Sequence, residues 1–262
     1  MNQQANMPVN KPPRTKLYMT LLLLFALIGA SAWYIDANPL IILSKWQNVF
    51  ELVFKMFPPD MTFFVNATQA MLDTIRMALI GTTIGGIISI PILFLCAHNI
   101  VNTPWIYQPA RIVLNMLRTV PDLLLAAIFA AILGFNTLAG VVALSIFSIG
   151  IIAKLSFEAV ENIDQGPLES MTSVGANKIQ WIVFGVVPQV LPQFTSYVLY
   201  TFEINVRAAA ILGLVGAGGI GLLYKQAIGF YNFDQVLALI LYTFLVVLLI
   251  DFISLKIRER LI

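Results

Sequence analysis

Glu203 and Arg207 stand four residues apart, a spacing that puts a carboxylate and a guanidinium on one face of a helix. Arg118 and Asp122 repeat that spacing around Pro121, and Asp251 lies in a third apolar run. Charges within apolar runs are costly, so each must either pair internally or serve a solute. Arg118, Asp122, Glu203 and Arg207 are therefore the candidates for a substrate pathway, with the two arginines able to receive an anion and Arg207 the preferred one. Asp251 precedes a basic tail and is expected to snorkel or to pair with Arg258. Covalent chemistry has little to work with. Cys96 is the one cysteine and His98 the one histidine, without zinc spacing and without a nucleophile–base pair around them. No catalytic residue and no metal ligand is assigned. Gly216-Ala217-Gly218-Gly219-Ile220-Gly221 matches G-x-G-x-x-G in form. Its flanks are apolar runs rather than a βαβ unit, so a tight turn or a close packing point is expected there instead of a dinucleotide site. A Gly-Lys dipeptide, the heart of a phosphate-binding P-loop, does not occur. Any ATP-driven step needs another polypeptide to supply the nucleotide site.

The elements that must hold these residues follow from composition. Of 262 residues 59% are apolar and 11% are charged, and mean hydropathy is +0.88. Soluble domains carry about 25% charge, so this chain cannot cover itself with a water-compatible surface and belongs in a bilayer. A net charge of +2, spread thinly, implies no nucleic-acid partner. Six runs are long enough to approach a bilayer core of about 30 Å: Leu17–Ile35, Ile75–Ala97, Ile112–Leu133, Leu138–Ala153, Ile182–Phe202 and Val236–Leu255. They are continuously apolar, which argues for helices and against a barrel. The fold class is thus all-α and polytopic. With the basic residues before the first run placed inside, ten Lys and Arg fall on the inner side and five elsewhere. Both termini are then cytoplasmic. A cleaved signal peptide ending at Ala30-Ser31-Ala32 is the alternative for the first run, which is long enough to stay embedded.

This reading divides the chain into a tail (residues 1–16), a first helix with an outer segment (17–74), a core domain (75–255) and a short basic tail (256–262). The outer segment carries a helical stretch near Leu40–Phe57 and a turn at Pro58-Pro59-Asp60. Within the core domain, Ser156–Gln180 forms a cytoplasmic loop whose second half, Pro167 to Ile179, reads as a short helix. Its apolar face is Leu168, Met171, Thr172, Val174, Gly175 and Ile179, and such a face wants a partner. Gly213–Asp234 lies outside or re-enters the membrane. Gly81 and Gly85 make a G-x-x-x-G, whose expected role is close helix packing. Pro121, Pro188 and Pro192 are expected to kink the third and fifth spans.

The loop carries a resemblance. Glu169-Ser170-Met171, then Gly175, then Val187-Pro188 resembles the EAA motif of ABC-importer permeases, E-A-A-x(3)-G-x(9)-I-x-L-P. Ser170, Met171, Gly185 and Val187 depart from that pattern. The run from Phe157 to Pro167, the segments Gly175-Ala176-Asn177-Lys178 and Val187–Pro192, and the stretch from Phe202 to Ala209 are similar to phosphonate permeases of the PhnE type. The resemblance implies a type I ABC-importer permease fold, a homodimer with the pathway between its copies, two ATP-binding subunits that carry ATP and Mg, and a periplasmic substrate-binding protein. It also implies that Glu169, Met171, Thr172, Val174, Gly175, Ala176 and Lys178 transmit force from the ATPase, that Gly175 allows a tight approach, and that Pro188 begins a bent span. The implied cargo is phosphonate, or alternatively phosphite or hypophosphite. An ion-coupled secondary transporter is the alternative of another class.

Overall fold

The computed structural model describes residues 14–35 and 44–260. The basic Lys11 and the start of the stretch near Leu40–Phe57 lie outside the described residues. Contacts divide the chain into two units, Met1–Phe54 and Lys55–Ile262. The first holds α1 (Arg14–Tyr34), a helix of 21 residues that is predominantly apolar from Leu17 onward, and most of α2 (Trp46–Lys55). The second holds α3 (Phe63–Cys96), α4 (Pro104–Thr119), α5 (Asp122–Leu133), α6 (Thr137–Glu161), α7 (Gly166–Ser173), α8 (Lys178–Val215), α9 (Ile220–Gly229) and α10 (Phe233–Arg258). Among the described residues, five helices are long and apolar enough to cross a membrane, and a sixth crossing exists if α4 and α5 together make one span.

Three spans run well past their apolar stretches, and α6 continues to Glu161, taking in the first residues of the expected loop Ser156–Gln180. α3 begins at Phe63, twelve residues before the expected Ile75, because Asn66, Thr68, Gln69 and Asp73 are compatible with a helix even though they end an apolar run. At 1.5 Å per residue, the 34 residues of α3 and the 38 of α8 exceed the bilayer core. The expected third span is broken. α4 and α5 meet at 83°, because Pro121 cannot continue the helix and disfavours helical backbone at Val120, which is extended (ψ 122°).

The second unit is built on the close approach of α3 and α6. Gly81 and Gly85 face α6 so tightly that a Cβ on Gly81 would lie 2.8 Å from Leu144 Cβ, and one on Gly85 would lie 2.8 Å from the Ser145 carbonyl oxygen. Small residues let the backbones pack directly where no hydrophobic driving force exists between helices in lipid. α8 then closes over both with a polar pin. The fully buried Asn205 donates one amide N–H to Thr82 Oγ1 and one to Ser148 Oγ, each at 2.7 Å. The direction is forced. Each hydroxyl already donates its proton to its own helix, Thr82 to Ala78 O and Ser148 to Leu144 O, so each oxygen has only acceptor capacity left. Asn205 Oδ1 is buried without a partner. Apolar clusters flank the pin on either side. One gathers Met71, Met77, Leu144, Leu212, Ala217 and Ile220, and the other Leu93, Phe157, Val160, Leu168, Val186 and Val190.

The G-x-G-x-x-G segment sits at the first cluster. Gly216, Gly218 and Gly219 have φ of +96°, +84° and +68°, and Cβ atoms there would meet Phe135, Thr137 and Thr74. Thr74 Oγ1 accepts the Ile220 N–H at 2.8 Å. The segment is a buried turn between α8 and α9, filled by its own neighbours and closed to a phosphate.

Two outcomes follow for purified protein in detergent. Asn205→Ala should lower the thermal unfolding midpoint by a few degrees, in line with about 1 kcal/mol for an interhelical hydrogen bond in a membrane protein, and Asn205→Asp should lower it more, since the carboxylate brings no N–H to two committed hydroxyls. Gly85→Leu should be harsher than either and abolish a monodisperse size-exclusion peak.

Candidate functional site

The short loop helix α7 is seated by contacts from both its ends. At its start, Asp164 Oδ1 accepts the Gly166 N–H at 3.0 Å. The Gln189 side chain grips the same residue, accepting the Asp164 N–H at 3.1 Å and donating to the Asp164 carbonyl at 3.4 Å. Its Nε2 also reaches the Gly185 carbonyl at 2.9 Å. From the middle of α7, Leu168 is 2% exposed and lies over Gly185, where a side chain would overlap it and would sit 3.2 Å from Met171 Sδ. Gly185 takes the place of the isoleucine in the family pattern, and this contact accounts for the departure. α7 ends by a paired hydrogen-bond turn, Ala176 N–H to Met171 O and Gly175 N–H to Thr172 O, both 3.0 Å. Such a turn requires left-handed backbone at the residue past the cap, and Gly175 supplies it with φ +82°. The helix therefore stops at Ser173 instead of running to Ile179. Asn177 and Gln180 then exchange reciprocal side-chain bonds of 2.9 Å to start α8.

α8 opens with a π-helical stretch, Trp181–Val186, ahead of Pro188. Proline brings no N–H and crowds the carbonyl four residues back. The wider turn accommodates it, with the Val187 N–H reaching back to Ile182 O.

The seating buries Leu168 and half-buries Met171 and Ala176, while Glu169, Thr172, Val174, Gly175, Lys178 and Pro188 are exposed. Val174 is 84% and Ile179 74% exposed. Beside α7 runs a groove of about 370 Å³ lined by Gln165, Leu168, Glu169, Thr172, Ser173 and Trp181. Apart from Gly175 itself and its two chain neighbours, no atom of the described residues lies within 4 Å of a Cβ at Gly175, so within this chain the glycine serves backbone conformation rather than close packing. Sequence reasoning assigned no role to Gln189, Gly185 or Trp181. A hydrogen-bonding side chain just after Pro188 was the available signal for Gln189.

The charged candidates separate into two groups. Arg207 meets Glu203 Oε1 at 3.1 Å and Asp251 Oδ2 at 3.2 Å. Glu203 Oε2 receives Arg258 at 2.7 Å. Two cations and two anions from α8 and α10 thus form one neutral chain. Asp251 goes to Arg207 and not to the expected Arg258, because Glu203 already occupies the Arg258 guanidinium. Arg118 and Asp122 do not join. Asp122 Oδ1 accepts the N–H of Leu123 at 2.8 Å at the start of α5, and Arg118 has no ion pair among the described residues. A second cluster, which sequence reasoning missed, gathers at Glu161. His98 and Arg111 both reach Glu161 Oε1, and Arg111 Nε bonds the Cys96 carbonyl at 2.8 Å. It ties α3, α4 and the end of α6 together just ahead of α7.

This architecture has known relatives. A chain of the inward-facing methionine ABC transporter MetNI superposes with a TM-score of 0.65 at 24% identity, over 75% of this chain and 96% of that one. A chain of an amino acid ABC transporter crystallised with histidines gives 0.63 at 18%, over 77% and 98%. These likenesses establish the type I ABC-importer permease fold. By sequence, the chain is 34% identical over 241 residues to the phosphite transport system permease protein PtxC of Stutzerimonas stutzeri, covering 91% of this chain and 87% of that protein. It is 41% identical over 209 residues to the phosphate-import permease protein PhnE of Mycolicibacterium smegmatis, covering 79% of this chain and 39% of that protein. Residues 89–262 match the family described as binding-protein-dependent transport system inner membrane component. That span contains α7, its seat on α8 and the charge chain to α10, and the protein is a multi-pass membrane member of this family.

Proposed function

We propose that this chain is the membrane-spanning permease subunit of an ABC importer for a phosphorus oxyanion, of the phosphonate, phosphite or phosphate class. Two copies would pair around the pathway, each carrying one ATP-binding subunit, with ATP and Mg bound on that subunit, and a periplasmic binding protein would deliver the solute. Both termini would then lie in the cytoplasm. The observation that carries this reading is the mounting of α7. It is anchored to α8 by Leu168, Gly185 and Gln189, yet it and the turn that follows hold out Glu169, Val174 and Gly175, with Lys178 exposed at the start of α8. A rigid mount with an exposed apolar tip suits transmission of movement from a separate protein. The oxyanion class is supported by the names of the two sequence relatives above.

The test is purification of the tagged chain from its native membrane with the co-purifying subunits identified and counted. The expected result is a Walker-motif ATPase at equal copy number. A homogeneous complex that transports without any ATPase overturns the reading in favour of ion coupling.

Gly175 separates conformation from contact. Asparagine tolerates left-handed backbone, so Gly175→Asn should retain most uptake. Gly175→Ala should weaken α7 by about 1 kcal/mol. Gly175→Trp should abolish uptake or ATPase association if the glycine also faces the partner closely. Uptake of Gly175→Trp at the level of Gly175→Ala would remove the close-contact role.

A further inference from the structure

Five cations, one on each of α3, α4, α6, α8 and α10, are paired with carboxylates within the chain. Arg76 meets Asp73, Arg111 meets Glu161, and Lys154 meets Glu158. Arg207 is bracketed by Glu203 and Asp251, and Arg258 by Glu203. A guanidinium held between two carboxylates has its charge balanced, so Arg207 offers little net attraction to a passing anion. Arg118 is exposed and meets no carboxylate among the described residues, and Asp122, the nearest acid along the chain, is turned to its own helix start. Lys178, Lys225, Lys256 and Arg260 likewise meet no carboxylate among the described residues, but they lie at or beside the ends of α8 and α10 or on the short α9, whereas Arg118 packs against the middle of α6.

Its position is built. The Arg118 side chain lies across Gly150 of α6, with Cγ 2.7 Å from where a Gly150 Cβ would stand. Only glycine at residue 150 leaves room for that path. Gly150 is thirteen residues into α6, about 20 Å along its axis, which is near the middle of a membrane-crossing segment. The 83° elbow between α4 and α5 follows Arg118 directly. An unpaired arginine at this depth is expensive in lipid, and such residues face protein or a watery path instead. The guanidinium fork matches two oxygens of a phosphorus oxyanion.

We infer that Arg118 is the cation a phosphorus oxyanion meets as it crosses the membrane, and that Gly150 is the positioning residue that keeps its side chain in place. Arg207 belongs to the structural charge chain. The inference rests on the oxyanion-importer reading and adds the residue that meets the cargo. A single arginine per copy binds weakly enough to release what it receives, as conduction requires. A lipid phosphate offers the same chemistry, and the experiment separates the two sources.

The complex of this chain with its ATPase and binding protein is reconstituted in phosphatidylcholine vesicles, and uptake of phosphite, inorganic phosphate and methylphosphonate is measured per assembled complex. Arg118→Gln should cut uptake of the transported anion by about tenfold or more, the size of one lost charge-assisted hydrogen bond, with ATPase association unchanged. Arg118→Lys should keep more uptake than Arg118→Gln, and Gly150→Ala should fall between wild type and Arg118→Gln. Arg207→Gln should lower the yield of assembled complex and leave uptake per complex near wild type. Wild-type uptake by assembled Arg118→Gln overturns the inference. So does a defect that appears only in vesicles containing phosphatidylglycerol, which would mark a lipid headgroup site. A wild-type complex that moves none of the three anions refutes the importer reading itself, and is distinguished from the other outcomes by needing no variant.

Discussion

Everything in the second unit hangs on how near α3 can come to α6. Gly81 and Gly85 remove the side chains that would hold the two backbones apart, and Asn205 pins α8 to both through hydroxyls whose protons are already spent on their own helices. In lipid, apolar side chains gain little from leaving the surroundings for one another, so contact area and satisfied polar groups must define the packing. The pin stands between two apolar clusters. One end of the unit carries the glycine turn, and the other carries the seat of α7. Because the same three helices run through both, the two ends share one rigid frame.

That frame explains why a helix of eight residues can have a defined place. α7 is too short to be stable alone. It borrows order from α8, through Leu168 over Gly185 and Gln189 against the Asp164 backbone. The π-helical turn before Pro188 is part of that arrangement, since it brings Gly185 under Leu168 in a stretch where a straight helix would meet the proline ring. The exposed residues of α7 are then a surface that the chain presents without using it for its own packing.

Charge is handled by the same logic. Where membrane helices carry ionisable groups, this chain links them in closed sets, Glu203 with two arginines and Asp251 with one of them, or Glu161 with Arg111 and His98. Closed sets stabilise helix pairs such as α8 with α10. Arg118 stands apart from these sets, and what distinguishes it is that its side chain lies against Gly150, midway along α6.

Much of this was legible in the residues themselves. Composition alone places the chain in a bilayer, because 11% charge cannot cover a soluble domain. Continuous apolar runs specify helices, Pro121 marks the elbow, and Pro167 marks the start of α7, while the order Glu169, Gly175, Pro188 places the loop through its resemblance to a family motif. Local chemistry suffices for the runs and the prolines because each depends on hydropathy or a missing N–H within a few residues, whereas the left-handed turn at Gly175 that ends α7 short of Ile179 was not foreseen. Partnership was not legible. Spacing on one helix pairs Glu203 with Arg207, but nothing in the order of residues says that Asp251 comes to Arg207 while Arg258 goes to Glu203, that Gly150 lies beneath Arg118, or that Asn205 finds Thr82 and Ser148. Those contacts join positions tens of residues apart, and only the angles and depths at which helices cross decide which side chains meet.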